Sequence, residues 1–161
     1  MEPLDEATIR GSFINCSKGE AKRLSLPAAE VDWGNLDFLG WHDPKAPANC
    51  YLVLPGDQGP VGIAAKFATR ARTLMKQSFC SLCMAVHDMG DVGLLSARRI
   101  GQAGKLGNTV GIYTCVDLAC SLRARGLRGA KAWTGVTEEE VILRLTTKIT
   151  SFVAEVQIDN S

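Results

Sequence analysis

No stretch of this 161-residue chain approaches the roughly eighteen consecutive apolar residues that a membrane-spanning helix needs. Its first ten residues carry Glu2, Asp5 and Glu6 where a secretory signal would place a basic region followed by an apolar one. Both absences point to a cytoplasmic protein without a membrane partner. Histidine is scarce: with only two in the chain, Cys-His or Ser-His catalysis has little material. The His-x-Glu and Pro-Cys-x-x-Cys strings of a zinc deaminase do not occur. The glycine-rich stretch Gly101 to Gly107 lacks the Walker spacing and the Ser or Thr that would follow Lys105, so it reads as the tip of a hairpin, not as a phosphate cradle. Aromatic residues are few, above all near the bases between Arg98 and Lys131, which argues against a stacking platform for single-stranded nucleic acid. There is no internal repeat and no low-complexity tract.

The hydrophobic content, 46%, suits one ordinary globular domain with one core. Asp5 can cap a first short helix presenting Ile9 and Phe13. Ser17 with Glu20 is a capping box for a second helix through Leu24, limited by Pro27. The runs Leu36 to Trp41, Tyr51 to Leu54 and Val61 to Phe67 have strand chemistry, separated by turn signals at Asp43-Pro44, Pro47 and Pro55-Gly56. The polar segment Arg70 to Ser78 is a connector. Val92 to Ile100 and Thr109 to Thr114 form a hairpin, Asp117 to Arg125 a helix ending at Gly126, and Thr137 with Glu140 a second capping box. The last helix then carries Ile142, Leu145, Ile149, Phe152 and Val156 at spacings of three and four. The expected class is α+β: a small antiparallel or mixed sheet with flanking helices and a zinc finger.

Six cysteines in a reducing compartment call for metal, redox chemistry or burial, not disulfides. Cys80-Ser81-Leu82-Cys83 has the spacing at which a tight turn aims two sulfurs at one ion. Cys115 and Cys120 bracket four residues between the hairpin and the following helix. Knuckle, hairpin and helix in that order describe a treble clef, and four thiolates supply the tetrahedral set that zinc prefers. A thioredoxin-like motif would instead lie in a βαβ unit, which is absent. His87, four residues after Cys83, is the competing fourth ligand should the wide Cys115/Cys120 spacing fail. Cys16 and Cys50 have no partner at ligand spacing and are expected to be buried as small hydrophobes. Four thiolates leave no open coordination position, so the site is structural and the chain is not an enzyme with a small-molecule substrate.

The net charge of +1 hides an uneven distribution. Between Arg98 and Lys131 there are seven bases and one acid, Asp117, which leaves a net negative remainder. Such a block can attract RNA or the acidic face of a protein.

Four strings carry a resemblance: Phe13-Ile14-Asn15-Cys16-Ser17-Lys18-Gly19-Glu20, Leu36-Asp37-Phe38-Leu39-Gly40-Trp41, Cys80-Ser81-Leu82-Cys83 and Gly107-Asn108-Thr109-Val110-Gly111-Ile112-Tyr113-Thr114-Cys115. They resemble the carboxy-terminal treble-clef zinc-finger domain of the elongation-factor-G-binding proteins, the FusB-type fusidic acid resistance family. The similarity runs over essentially the whole chain and is strongest from Cys80 to Leu122. It implies a single domain over 1–161, with an α/β part at 1–79 and a treble-clef part with the terminal helix at 80–161. The chain is expected to begin directly at this domain, without the helical amino-terminal domain of resistance-type members. The resemblance implies one structural zinc on Cys80, Cys83, Cys115 and Cys120. It also implies elongation factor G as partner and release of that factor from the ribosome when fusidic acid has trapped it. The partner-facing residues are then Lys105, Asn108 and Tyr113, with Arg98, Arg99 and Arg123 as electrostatic support. The alternative is a zinc-finger protein that binds ribosomal RNA or another nucleic acid through the same bases.

Overall fold

The computed structural model describes residues 1–27, 30–68, 77–88, 90–129 and 135–159. Two short helices open the chain. Helix α1 (Glu6–Gly11) starts where the Asp5 carboxylate accepts the Thr8 N–H at 2.7 Å. Helix α2 (Lys18–Arg23) starts on the Ser17/Glu20 capping box, in which each side chain takes the other's backbone N–H. The two are tied through Arg10, whose Nη1 donates to the Ala21, Lys22 and Leu24 carbonyls that the end of α2 leaves without helical partners.

Five strands form one antiparallel sheet in the order β1-β2-β3-β6-β7. They are β1 (Leu39–Asp43), β2 (Ala46–Leu54), β3 (Val61–Phe67), β6 (Val92–Arg98) and β7 (Thr109–Cys115). Between β3 and β6 the chain makes a separate two-stranded ribbon, β4 (Gln77–Phe79) with β5 (Val86–Asp88). Of the polar connector expected at Arg70 to Ser78, Gln77 and Ser78 lie in β4 and the rest falls outside the described residues. Strand β1 begins at Leu39 and not Leu36, because a 3-10 turn over Trp33–Asn35 ends at Leu36. Pro47, expected as a turn signal, lies inside β2. His42 pairs with Cys50 whereas Asp43 pairs with Ala46, so Pro47 sits in a bulge where no ladder N–H is required.

The hairpin tip expected at Gly101 to Asn108 contains a helix, α3 (Gly101–Lys105). Local propensity does not explain it. The Asp159 carboxylate accepts the Gln102 and Ala103 amides at 3.3 and 3.2 Å, and a Cβ built on Gly104 would stand 1.8 Å from the Arg99 carbonyl. Tertiary contact, with a glycine where two backbones meet, makes this turn. Helix α4 (Cys120–Ala124) starts three residues later than the sequence suggests, after a left-handed Leu118 at φ 57° and an Asp117 carboxylate that accepts the Ala119 N–H. Gly126, at φ 66°, ends it as expected.

Helix α5 (Glu138–Val156) begins on the Thr137/Glu140 capping box and buries Val141, Leu145, Ile149, Phe152, Val153 and Val156. This stripe packs into the main core with Phe38, Leu52, Ile63 and Leu95 of the sheet and its approaches. Ile142 packs only at its margin. A second cluster, with Ile9, Leu24, Leu39, Trp41 and Val53, lies under α1 and α2. Trp41 Nε1 there donates to the Ser25 carbonyl at 2.7 Å, which satisfies the one polar atom of a buried ring. Cys50 is fully buried and burial pushes its thiol up to about 12; Cys16, expected to be buried, is only partly covered. Arg125, the residue that caps the end of α4, grips the Asp37 carboxylate with both guanidinium nitrogens, at 2.7 and 3.0 Å, and the Asp37 N–H donates to Ser121 Oγ. That pair joins the segment before β1 to the last third of the chain. Among the described residues no helix is long and apolar enough to cross a membrane.

Removing the Thr137 cap tests how far α5 depends on its start. Thr137→Ala deletes the acceptor for the Glu140 N–H and is expected to cost about 1 kcal/mol, a fall in Tm of roughly 2–4 °C for a chain of this size. Thermal denaturation of the zinc-loaded protein checks it, with Thr137→Ser retaining most of the wild-type value.

Candidate metal centre

The ribbon β4/β5 and its turn build half of the centre. Cys80 follows β4 directly, its N–H donating to the Ala85 carbonyl at 3.0 Å, while the Met84 N–H returns to the Cys80 carbonyl at 3.1 Å. Met84 takes a left-handed φ of 61° to close this knuckle. The other half is the exit from the sheet. Cys115 ends β7 and Cys120 is the first residue of α4. The left-handed Leu118, whose N–H donates to the Cys115 carbonyl, turns the chain between them. That turn is why four residues fit between two ligands where two are usual. A hydrogen bond from the Ser81 N–H to the Tyr113 carbonyl, at 3.0 Å, docks the knuckle against β7.

The four sulfurs lie within 4.8 Å of one another, all fully buried. Cys80 and Cys120 Sγ are 3.7 Å apart, and Cys83 and Cys115 Sγ 3.6 Å. A zinc–sulfur bond of about 2.3 Å sets the edge of a regular tetrahedron at roughly 3.8 Å, so the cluster already has the size of one filled zinc site. Its electrostatics say the same. Cys80 is held far below the usual thiol range by hydrogen bonds from Cys115, Cys120 and Cys83. Cys120 is driven well above it by its hydrogen bond with Cys115, then by those with Cys80 and Cys83, and by burial. Four buried thiols this close cannot all ionise unless a cation sits among them. These residues fit one structural zinc ion, which would be held by Cys80, Cys83, Cys115 and Cys120 with no position left for a substrate.

Residues around the sulfurs complete the arrangement. The buried Thr114 Oγ1 lies 3.4 Å from Cys120 Sγ and 3.8 Å from Cys80 Sγ, placed to donate to thiolates. His87 Nε2 is 3.2 Å from Cys115 Sγ. It is therefore a hydrogen-bond partner of a ligand and does not replace Cys120, whose sulfur is in the cluster. Arg123 chelates the Asp117 carboxylate at 2.6 and 2.8 Å; this pairing raises its pKa first, and the Cys115 and Cys120 sulfurs add to the shift. A guanidinium held there offsets part of the −2 charge of a zinc bound to four thiolates.

The residues expected to face a partner divide into two groups. Tyr113 is 58% exposed on β7, and Arg98, Lys105 and Asn108 are exposed at the ends of β6, α3 and the turn before β7. Arg99 is half-buried with its guanidinium on the Glu155 carbonyl, and Arg123 is committed to Asp117. Arg128 also reaches Asp117, at 3.0 Å, and Lys131 falls outside the described residues. Sequence reasoning missed Phe79 and Val86, a cross-strand pair on the knuckle that exposes 48% and 45% of its surface. The signal was there in two apolar residues flanking a Cys-x-x-Cys, but apolar residues beside ligands are ordinarily core. It also missed Thr114, which only the register of β7 brings to the sulfurs.

A family model described as the FBP C-terminal treble-clef zinc-finger matches residues 8–156. No curated protein matches the chain, and no solved structure does.

Metal analysis of freshly purified, reduced protein is expected to give one equivalent of zinc. Cys80→Ser or Cys115→Ser removes a ligand from a site worth on the order of 10 kcal/mol, and should lose both the zinc and the cooperative unfolding transition. His87→Ala keeps the ligand set and should weaken zinc by about ten- to a hundredfold in a chelator competition. Because each thiolate must take up a proton before zinc leaves, retention is complete at neutral pH and falls as the pH becomes acidic. Zinc lost on raising the pH would contradict four thiolate ligands.

Proposed function

We propose that this chain, which belongs to the FBP C-terminal treble-clef zinc-finger family, is a non-enzymatic protein that binds translation elongation factor G and promotes its release from the ribosome. The observation that carries this reading is the exposed Tyr113 on the strand that delivers Cys115 to the closed metal centre. A closed four-thiolate site offers no place for substrate chemistry; what it can do is fix the surface around it. Beside the centre the chain exposes the Tyr113 ring and the apolar pair Phe79 and Val86, and at the other end of β7 the cations Arg98 and Lys105. Aromatic anchors beside rim cations are the composition of protein-binding hot spots. The choice of elongation factor G rests on the resemblance of the Gly107 to Cys115 and Cys80 to Cys83 strings to the FusB-type proteins. On this reading the whole chain acts as one unit in the cytoplasm, residues 1–79 supporting the treble clef at 80–161. Tyr113, Asn108, Lys105 and Arg98 meet the partner, while Arg99 and Arg123 act from behind by holding α5 and the metal centre.

A nucleic-acid reading has one observation in its favour. A cleft of about 580 Å³ on the sheet face is lined by Arg23, Lys66 and Arg98, none of which makes an ion pair among the described residues. Glu20 and Asp43 line the same cleft, which leaves it with little net charge for a phosphate backbone.

Titration of zinc-loaded protein with purified elongation factor G separates the two. A protein complex is expected at low salt, with Tyr113→Ala weakening it by about 2 kcal/mol, roughly thirtyfold, and Lys105→Ala mainly slowing association. Absence of any complex at low salt removes the proposal. Binding to single-stranded RNA with log K falling linearly against log salt would favour the second reading.

A further inference from the structure

Strand β7 is an outer strand of the sheet, paired to β6 alone. Which of its backbone groups point away from β6 follows from the ladder. The Arg99 N–H donates to the Asn108 carbonyl and the Val116 N–H to the Asp91 carbonyl, and the register between these points is unbroken, with Leu95 opposite Ile112. In an antiparallel pair hydrogen-bonded residues alternate. Asn108, Val110, Ile112, Thr114 and Val116 therefore bond inward, while Thr109, Gly111 and Tyr113 turn both N–H and C=O outward. The Ser81 N–H on the Tyr113 carbonyl is the outward bond this alternation requires. Among the described residues nothing else occupies the row: the Tyr113 N–H and both groups of Gly111 and Thr109 have no backbone partner, and all three residues are exposed.

Exposed edges of this kind are usually blunted by proline, lysine or a bulge. Thr109–Cys115 has none of these; its pairing is regular over seven residues, and Gly111 offers no side chain to cover the backbone at the middle of the row. Beside it runs a groove of about 370 Å³ between the strand and α5, with Ile112 and Phe152 as its apolar floor and Lys148, Ser151 and Glu155 as its wall. Helix α5 ends beside the start of β7, since the Val156 carbonyl takes the Ile100 N–H. Glu155 therefore stands at the Thr109 end and Lys148, two turns earlier, at the Tyr113 end. An edge strand with a helix alongside is a receptor for an extended backbone: main-chain bonds supply affinity and alternate side chains enter the groove.

We infer that elongation factor G is bound by strand addition, an extended segment of the partner pairing with Thr109 to Tyr113 and laying every second side chain into the groove against α5. The inference rests on the reading above and specifies how that surface works. The charges in the wall select a segment with an acidic side chain toward Lys148 and a basic one toward Glu155.

The test compares Gly111→Ala with Gly111→Pro in the zinc-loaded full chain. Both add a Cβ, whose one tight neighbour is the flexible end of Leu94 at 2.9 Å, the Leu95 carbonyl standing at an ordinary 3.7 Å; only proline removes the outward N–H, at a position where no bond to β6 is lost. Gly111→Ala should bind elongation factor G within about threefold of wild type and Gly111→Pro at least tenfold more weakly, with one zinc equivalent retained by both. Equal binding by the proline variant overturns strand addition while leaving the partner assignment intact; failure of the wild type to bind removes both. Should the proline variant not fold, hydrogen exchange on the wild-type complex decides, since the Gly111 and Tyr113 amides must become protected. Unprotected amides overturn the inference. So does a wild-type chain that self-associates through this edge, seen as a dimer by sedimentation that Gly111→Pro abolishes.

Discussion

Four sulfurs taken from two stretches of chain more than thirty residues apart have been brought to within 4.8 Å of one another and out of water. Everything else in the second half of the molecule follows from that convergence. Buried thiols at such distances cannot share negative charge unaided. A dication resolves it and at once ties the knuckle, the end of β7 and the start of α4 into one rigid body. Without that tie the ribbon β4/β5 would hold to the rest by the Ser81 to Tyr113 bond and by Leu82 and Ala85 in the main core, because two strands of three residues are far below what is stable alone.

The rest of the chain receives this rigid body through a few specific contacts. The Asp37/Arg125 pair, with Asp37 only 9% exposed, is bidentate and nearly dry. Breaking one partner would strand a charge, so the pair acts as a locating pin more than as a source of stability. Arg99 on the Glu155 carbonyl and Asp159 on the amides of α3 do the same at the far end of α5. Each joins elements distant in sequence, and each places a charged group on backbone that a helix end leaves without partners.

Those long-range contacts also mark where sequence reasoning stops. Both capping boxes, the Asp5 cap, the Gly126 stop and the Leu145, Ile149, Phe152, Val156 stripe were legible, because each depends on residues within a turn or two of one another. The cysteine set was legible because ligand spacing is a local constraint on a turn. Helix α3 was not, since what makes Gly101–Lys105 helical is Asp159 and the close approach of Gly104 to Arg99. The bulge that admits Pro47 and the left-handed Leu118 that delays α4 are register and turn effects with no residue signature of their own. The pairing of the charges was not legible for the same reason. A run of bases shows how many cations there are but not which carboxylates they meet.

That last point bears on recognition. Of the seven bases between Arg98 and Lys131, Arg123, Arg125 and Arg128 are held in ion pairs and Arg99 is spent on a carbonyl. Arg98 and Lys105 are the members of the block that make no ion pair among the described residues. Lys131 falls outside the described residues, and Arg23 and Lys66 beside Arg98 in the cleft on the sheet face make no ion pair among the described residues either. Within the described residues the guanidinium groups of the block thus serve largely as internal wiring of α4 and α5. What the zinc-braced half does present without reservation is short-range and directional: an uncovered row of backbone groups on β7, the ring of Tyr113, and the apolar pair on the knuckle. Surfaces of that kind discriminate by shape and hydrogen-bond register, which suits an ordered protein partner better than a flexible polyanion.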